Sequence, residues 1–362
     1  MSKVVVGMSG GVDSSVAAYL LKEQGYDVIG ATMQIWQDES AQAQEHEGGC
    51  CGLSAVDDAR RVADAIGIPY YVMNFKQDFK ERVIDYFVRE YENARTPNPC
   101  IACNRYVKWE SLLQRSMEIG ADYIATGHYA RIKKLDNGRY TVQKSVTAAK
   151  DQTYALYNLT QFQLAHTLMP VGAYEKPQIR KIAEDANLLV AHKPDSQDIC
   201  FVSDGNYVKF MEEETGRKSK PGNFVDEDGM VLGKHEGIWH YTIGQRKGLH
   251  LALGKPAFIK EIRPQTNEVV IGGAESVFSD TMIVDDVNYM AVEKLDGKTE
   301  LCGKIRYAHK GAPCILEPLA DGRLKVTFHE PQRAITPGQA VVFYDGDLVV
   351  GGGVIEREGA SL

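Results

Sequence analysis

No stretch of about 18 consecutive apolar residues occurs in the chain, which argues against a membrane-spanning helix and sets the expectation of no membrane partner. Positive charge is not in excess either. The formal net charge of −8 excludes a uniformly basic, nucleic-acid-coating protein while leaving room for a local basic face. Two common phosphate-loop signatures, G-x-x-x-x-G-K-S/T and G-x-G-x-x-G, are both missing. There is no clear internal repeat and no low-complexity tail. The first strand-like run begins at residue 3, which leaves no room for a signal or transit peptide, so a cytoplasmic location is expected. Cysteines number seven, and an odd count excludes a complete intrachain disulfide framework. In a reducing compartment they read as thiols, ligands or catalysts.

What is present is ordinary in bulk and specific in detail. With 362 residues, 44% hydrophobic and 25% charged, the chain suits two or three globular domains. Val4 to Val6 form a β-branched apolar run fit for a strand buried on both faces. Ser9, Gly10 and Gly11 break it. From Ser14 the period turns helical, with Val16, Ala17, Leu20 and Leu21 on one side, and Asp13 or Ser14 is the expected cap. Strand, glycine-rich turn and helix start together aim backbone N–H groups at one point, where an anion is held.

Strand and helix patterns then alternate to about residue 130. Strands are expected at 27–36, 70–75 and 122–126, and helices at 54–67 and 79–95. This alternation predicts a doubly wound parallel sheet, with ligands at the carboxyl ends of its strands. A polar loop is expected at 37–49. Residues 131–157 read as a hairpin followed by an apolar strand, and helical pattern returns at 161–168 and 178–186. From about residue 222, short strands separated by Asp-Gly and Asn turns predict a β-rich region. The expected division is 1–205, 206–275 (a small β-rich linker domain) and 276–362 (a C-terminal β-barrel).

Pro97-Asn98-Pro99-Cys100-Ile101-Ala102-Cys103-Asn104 is the second informative stretch. Its prolines fix an extended entry, and a helix is expected over 105–117. Cys103 then falls at a helix N-terminus, which favours its thiolate. Cys200 follows Asp195-Ser196-Gln197-Asp198-Ile199. A lone Cys-x-x-Cys is compatible with zinc, a redox pair or a cluster ligand. Adjacent Cys50 and Cys51 are poor chelators of one tetrahedral ion, and Cys302 and Cys314 read as core residues.

The run Ser9-Gly10-Gly11-Val12-Asp13-Ser14 resembles the pyrophosphate loop of the N-type ATP pyrophosphatases. Taken with Pro97–Asn104 and Asp195–Phe201, it makes the chain similar to the bacterial tRNA-specific 2-thiouridylases. The likeness extends through Thr126–Arg131, Lys150–Tyr154, Gly244–Leu249, Lys304–Tyr307 and Pro337–Gln339, in order along essentially the whole chain.

The resemblance implies a catalytic domain over 1–205, a tRNA-binding barrel at the C-terminus, and ATP and Mg2+ as requirements. The implied reaction is adenylation of the C2 oxygen of the wobble uridine in tRNAs for lysine, glutamate and glutamine, then replacement of that oxygen by sulfur. By the same resemblance Gly7, Met8, Ser9, Gly10, Gly11, Val12, Asp13 and Ser14 hold the ATP phosphates, with Asp13 a magnesium partner, while Met33 and Gly127 line the adenosine. Asn98, Pro99 and Cys100 approach the target base, Cys103 is the nucleophile and Cys200 the persulfide carrier. His128, Lys150, Asp151, Gln152, Arg306, Tyr307 and Gln339 contact tRNA. Arg131, Lys133, Lys134, Arg139, Lys144 and Lys150 add a basic stripe that phosphates attract. Many family members carry Asp where this chain has Cys100. The change creates a thiol set, Cys100, Cys103 and Cys200, that also suits a [4Fe–4S] cluster with one open iron. A sulfur-donor protein, a relay or a desulfurase, is the second implied partner.

Two rival readings remain at this stage. An amidating ligase acting on a small acid would use the same ATP loop but has no need of Cys103 and Cys200. A non-catalytic RNA-binding protein would have no need of an intact loop.

Overall fold

The computed structural model describes residues 1–35, 53–195, 199–202 and 204–357. Cys50, Cys51, Trp36, the expected 37–49 loop and Ser196 to Asp198 lie outside the described residues.

Five parallel strands build the first sheet: β1 (Lys3–Gly7), β2 (Asp27–Gln34), β3 (Tyr70–Asn74), β4 (Tyr123–Ala125) and, after the hairpin β5 (Ala130–Lys134) and β6 (Tyr140–Lys144), β7 (Thr167–Leu168). Their spatial order is β3-β2-β1-β4-β7. Val4, Val5 and Val6 in β1 are all fully buried. Val4 and Val6 pack on helices α1 (Val12–Glu23), α2 (Leu53–Ile66) and Lys176–Asp185. Val5 faces the opposite layer, made by the helical stretches 76–92 and 99–118. The alternating strand, buried on both faces, is what a doubly wound sheet requires. The chain runs from β1 out to β3 on one side and then crosses back to β4 on the other. The crevice at the carboxyl ends of β1 and β4 is therefore the topological switch point where such sheets take ligands.

Several expectations change in detail. The apolar stretch before residue 157 is not a strand: 153–156 is a tight 3-10 turn with Thr153, Tyr154 and Leu156 buried. Helix 161–168 stops at Ala165, and Thr167–Leu168 instead forms the edge strand β7, because Thr167 is tied down by the Trp109 indole N–H at 2.7 Å. The expected helix at 105–117 begins six residues earlier, with Asn98 as its cap and Pro99 at its first position.

The second sheet has strands β8 (Gly222–Val225), β9 (Val231–His235), β10 (Phe258–Arg263) and β11 (Glu268–Gly272), in the order β10-β11-β8-β9, around Phe224, Tyr241, Ile259 and Val269. Six strands then close a barrel: β12 (Phe278–Tyr289), β13 (Thr299–Lys304), β14 (Ala312–Pro318), β15 (Leu324–Arg333), β16 (Ala340–Asp345) and β17 (Leu348–Ile355), with β12 pairing both β15 and β17. Closure leaves the barrel no open edge of its own.

The hairpin β5–β6 is not a free basic flap. It extends the barrel sheet through the pairing of Gln143 with Leu348. Arg139 donates to the carbonyls of Met290 (2.9 Å) and Tyr289 (3.0 Å), and Lys144 Nζ to that of Gly346 (2.9 Å). Arg131 is likewise used on the Lys144 carbonyl. Of the stripe expected to meet phosphates, Lys133 and Lys134 are the fully exposed members. Arg139 and Lys144 join the hairpin to the barrel, and Lys150 turns to Asp195.

Candidate active site

The loop after β1 is shaped by close backbone contacts. Gly10 has φ +68°, and a Cβ there would lie 2.3 Å from the Ala55 carbonyl oxygen. Gly127, just after β4, faces the start of α1 so closely that a Cβ would lie 2.6 Å from the Ser14 nitrogen. Glycine is required at both places by space, and at Gly10 also by conformation. Neither Asp13 nor Ser14 caps α1. The N-cap is Gly11, which offers no side-chain acceptor, so the first-turn N–H groups are left facing the crevice. Ser14 Oγ instead turns back to accept from the Ser9 N–H at 3.1 Å. Met8 and Val12 have buried side chains, so they serve this loop through their backbone. The Met8 carbonyl accepts from Thr32 Oγ1 at 2.7 Å. Gly7 ends β1 in register with Ala31 of β2, and Met33 sits partly buried near the end of β2.

Asp13 is heavily engaged. Its carboxylate accepts from Lys176 Nζ at 2.8 and 2.9 Å and from the Tyr129 hydroxyl at 2.7 Å. Burial first, and then the Asp13 contact, push the Tyr129 phenol far above its ordinary range, so it stays a proton donor. Gln152 fixes Tyr129 by accepting from its N–H at 2.8 Å. Asp151 accepts from the Ser145 N–H and the Thr153 hydroxyl. Lys150 pairs with Asp195 at 2.8 Å. Lys150, Asp151 and Gln152 thus tie the wall of the site together. Lys176, Tyr129 and Arg180 were missed from sequence. Lys176 opens the helix Lys176–Asp185, and nothing in its sequence neighbourhood signals that it reaches Asp13.

Asn98 caps the 99–118 helix by accepting from the Ile101 N–H at 3.3 Å. This places Cys100 in the first turn, with Pro99 buried beneath it. Cys103 lies a turn further in, and its N–H is already bonded to the carbonyls of Pro99 and Cys100. The helix-terminus effect expected for Cys103 therefore acts most directly on Cys100. The helix widens to a π pattern from Cys103 to Leu112, a departure that recurs at functional sites. Cys100 and Cys200 are exposed, and Cys103 is partly buried. Cys200 is anchored by its neighbour Phe201, whose ring meets Phe79 and Phe87 edge-on at 5.7 and 5.4 Å. Ile101, Cys103, Ile199 and Phe201 all belong to one core cluster. Among the described residues no group of three or more His, Cys, Asp or Glu side chains is gathered to hold a metal ion. Cys100, Cys103 and Cys200 are accordingly not assembled as a ligand set.

The barrel closes the site from the far side. Tyr307 donates to the Asp151 carbonyl at 3.2 Å and is half exposed. Burial first, then Asp151, push its phenol up. Lys304 Nζ lies 5.4 Å from the Tyr307 ring and 5.8 Å from that of Tyr154, a cation–aromatic surface suited to a splayed base. Arg306 is committed to the Arg333 carbonyl at 3.0 Å. The Gln339 amide donates to the Thr96 carbonyl at 2.9 Å, holding the entry to Pro97–Cys103. Gln339→Ala is expected to lower stability by about 1 kcal/mol, the ordinary net value of a hydrogen bond. Chemical denaturation measures it.

His128 receives or gives a hydrogen bond at Nδ1 to Thr126 Oγ1, 2.7 Å away, and its ring centre lies 5.4 Å from that of Trp109. Burial, and secondarily the Lys108 ammonium, hold its pKa well below 6.5. It is neutral at pH 7 and brings no charge to a phosphate. Unfolding lets it take up a proton below pH 6.5 while the folded state resists, so folding stability falls as pH drops below 6.5. His128→Gln is expected to flatten that part of the stability–pH curve, as followed by thermal melts from pH 7 to 5.

A glycine loop meeting a helix start at the switch point of a parallel sheet defines an adenine-nucleotide-activating protein of the HUP type. Residues 2–204 match the family described as tRNA methyl transferase HUP domain. Residues 208–273 match the tRNA methyl transferase PRC-barrel domain, and residues 279–355 the aminomethyltransferase beta-barrel domain. The chain is 67% identical to the tRNA-specific 2-thiouridylase of Lachnoclostridium phytofermentans, over 98% of this chain and 99% of that one. It is 59% identical to that of Clostridium perfringens, over 98% of each, and 59% identical to that of Acetivibrio thermocellus, over 98% and 99%. The chain belongs to the tRNA-specific 2-thiouridylase family.

Proposed function

We propose that this chain is an ATP-dependent tRNA-uridine 2-sulfurtransferase acting in the cytoplasm on the wobble uridine of tRNAs for lysine, glutamate and glutamine. The observation that carries the reading is the glycine loop meeting the uncapped start of α1 at the switch point of the parallel sheet, in a chain 67% identical to a tRNA-specific 2-thiouridylase. Some of the matching domain descriptions speak of methyl transfer. The paired cysteines have no part in that chemistry and a direct part in thiolation.

A carbonyl oxygen leaves poorly, and adenylation turns it into a good leaving group. The C2 oxygen attacks the α-phosphorus of ATP, and pyrophosphate departs. The first-turn N–H groups of α1 and Lys176 stabilise the charge that develops on the phosphates. Among the described residues Asp13 is the carboxylate in the first turn of α1, and together with the phosphates it would hold magnesium. The outer sulfur of a Cys200 persulfide then attacks C2 and displaces AMP. Cys103 attacks the Cys200 sulfur, forming a Cys103–Cys200 disulfide and releasing the 2-thiouridine. An external thiol reductant resets the pair, and a sulfur-donor protein reloads Cys200. The cysteine set does not fit a [4Fe–4S] cluster as arranged, which favours the persulfide route.

Unmodified tRNA incubated with the protein, ATP, Mg2+ and a persulfide source should yield 2-thiouridine by nucleoside mass spectrometry. ATP–pyrophosphate exchange supported by a small acid, with no thiolated nucleoside, would instead favour the amidating ligase.

A further inference from the structure

The nucleotide loop and the segment leading to Cys200 are joined by a chain of alternating charges. Lys176 Nζ sits between two carboxylates, 2.8 Å from Asp13 and 2.7 Å from Asp195. Its side chain is only 13% exposed, so these contacts are shielded from competing water. Asp195 is also held by Lys150 at 2.8 Å and approached by Arg180 at 3.6 Å. Arg180 is fixed in turn by the carbonyls of Ala191 and Lys193, at 2.8 and 3.2 Å. Burial acts to raise the Asp195 carboxyl, but the Lys150 and Lys176 ammonium groups outweigh it and hold it below the usual range, so it is charged at neutral pH. Asp195 lies five positions before Cys200, and Asp13 is in the first turn of α1.

We propose that Lys176 and Asp195 are positioning residues that set the Cys200 segment against the nucleotide loop, and so couple adenylation to sulfur transfer. This rests on the thiolation reading above. Lys176 is the shared cation: one ammonium serves Asp13 on the nucleotide side and Asp195 on the sulfur side. Removing it leaves two carboxylates facing one crevice with one positive partner fewer, and the root of the Cys200 segment loses its register. Uridine activated without sulfur in reach loses its adenylate to water, so pyrophosphate is released without product.

The test measures pyrophosphate released and 2-thiouridine formed in the same reaction, with full-length protein and tRNA. The unaltered protein is expected to give the two in near-equal amounts. Asp195→Asn, which keeps Lys176 and its contact with Asp13, is expected to keep pyrophosphate release within about threefold while 2-thiouridine falls at least tenfold. Lys176→Met should show the same uncoupling together with a raised ATP KM, and Lys176→Arg should recover part of the coupling. Equal losses of both products in Asp195→Asn, or no loss of either, would overturn the inference. If the unaltered protein forms no 2-thiouridine at all, the thiolation reading itself fails, and that outcome is distinct.

Discussion

Replacing Cys200 by Ser should abolish 2-thiouridine formation, with a loss of at least a thousandfold, while ATP binding and tRNA-dependent pyrophosphate release survive. A serine hydroxyl fills the same space but cannot carry a persulfide. Cys200 is exposed, so the change leaves the core intact. Cys103→Ser should also stop turnover, but at a different point. Without the resolving thiol, a single turnover should leave tRNA joined to the enzyme through a Cys200–sulfur–sulfur–C2 linkage, visible as a reducible shift on a denaturing gel. That difference separates the two cysteines in a way that loss of activity alone does not. Cys100→Ser is expected to be milder, since Cys100 has no bond-making role in this sequence of steps. Thiolation retained in Cys200→Ser would refute the assignment.

The second large effect concerns the loop. In Gly127→Ala the added carbon would lie 2.6 Å from the Ser14 nitrogen and 2.7 Å from the Asp13 carbonyl carbon, both backbone atoms with no freedom to rotate away. The first turn of α1 must move off β4, and with it the N–H groups that face the phosphates. ATP affinity is expected to fall at least tenfold, or about 1.4 kcal/mol. Gly138→Ala is the contrast: its φ of +83° brings a backbone strain that Gly127 lacks, but nothing lies within 4 Å of the added carbon. It should change melting temperature slightly and ATP affinity not at all. Calorimetric titration with ATP distinguishes them.

The parts of this architecture legible in the sequence were those with local causes. The valines of β1, the glycines after it and the alternation up to residue 130 each announce their structure within a few residues, and the parallel sheet and barrel follow. The glycine loop was legible to the residue, yet its capping was misread, because the Ser14 hydroxyl finds Ser9 rather than its own helix. Strand β7 is two residues long, too short for any periodicity, and depends on Trp109 from another helix. Long-range pairings were the least legible. Nothing near Gln339 announces its bond to the Thr96 carbonyl, 243 residues away in sequence. Lys176 carries no motif; only the folded chain brings it between Asp13 and Asp195. Arg139 and Lys144 read as a free basic face because nothing in their neighbourhood encodes the barrel that takes them up.

Fate of the displaced oxygen is the most direct measure of the central claim. A tRNA carrying oxygen-18 at C2 of the wobble uridine should pass one heavy oxygen to AMP for each 2-thiouridine formed, and none to pyrophosphate. Heavy oxygen recovered in water or pyrophosphate, with unlabelled AMP, would contradict activation of that oxygen by the nucleotide.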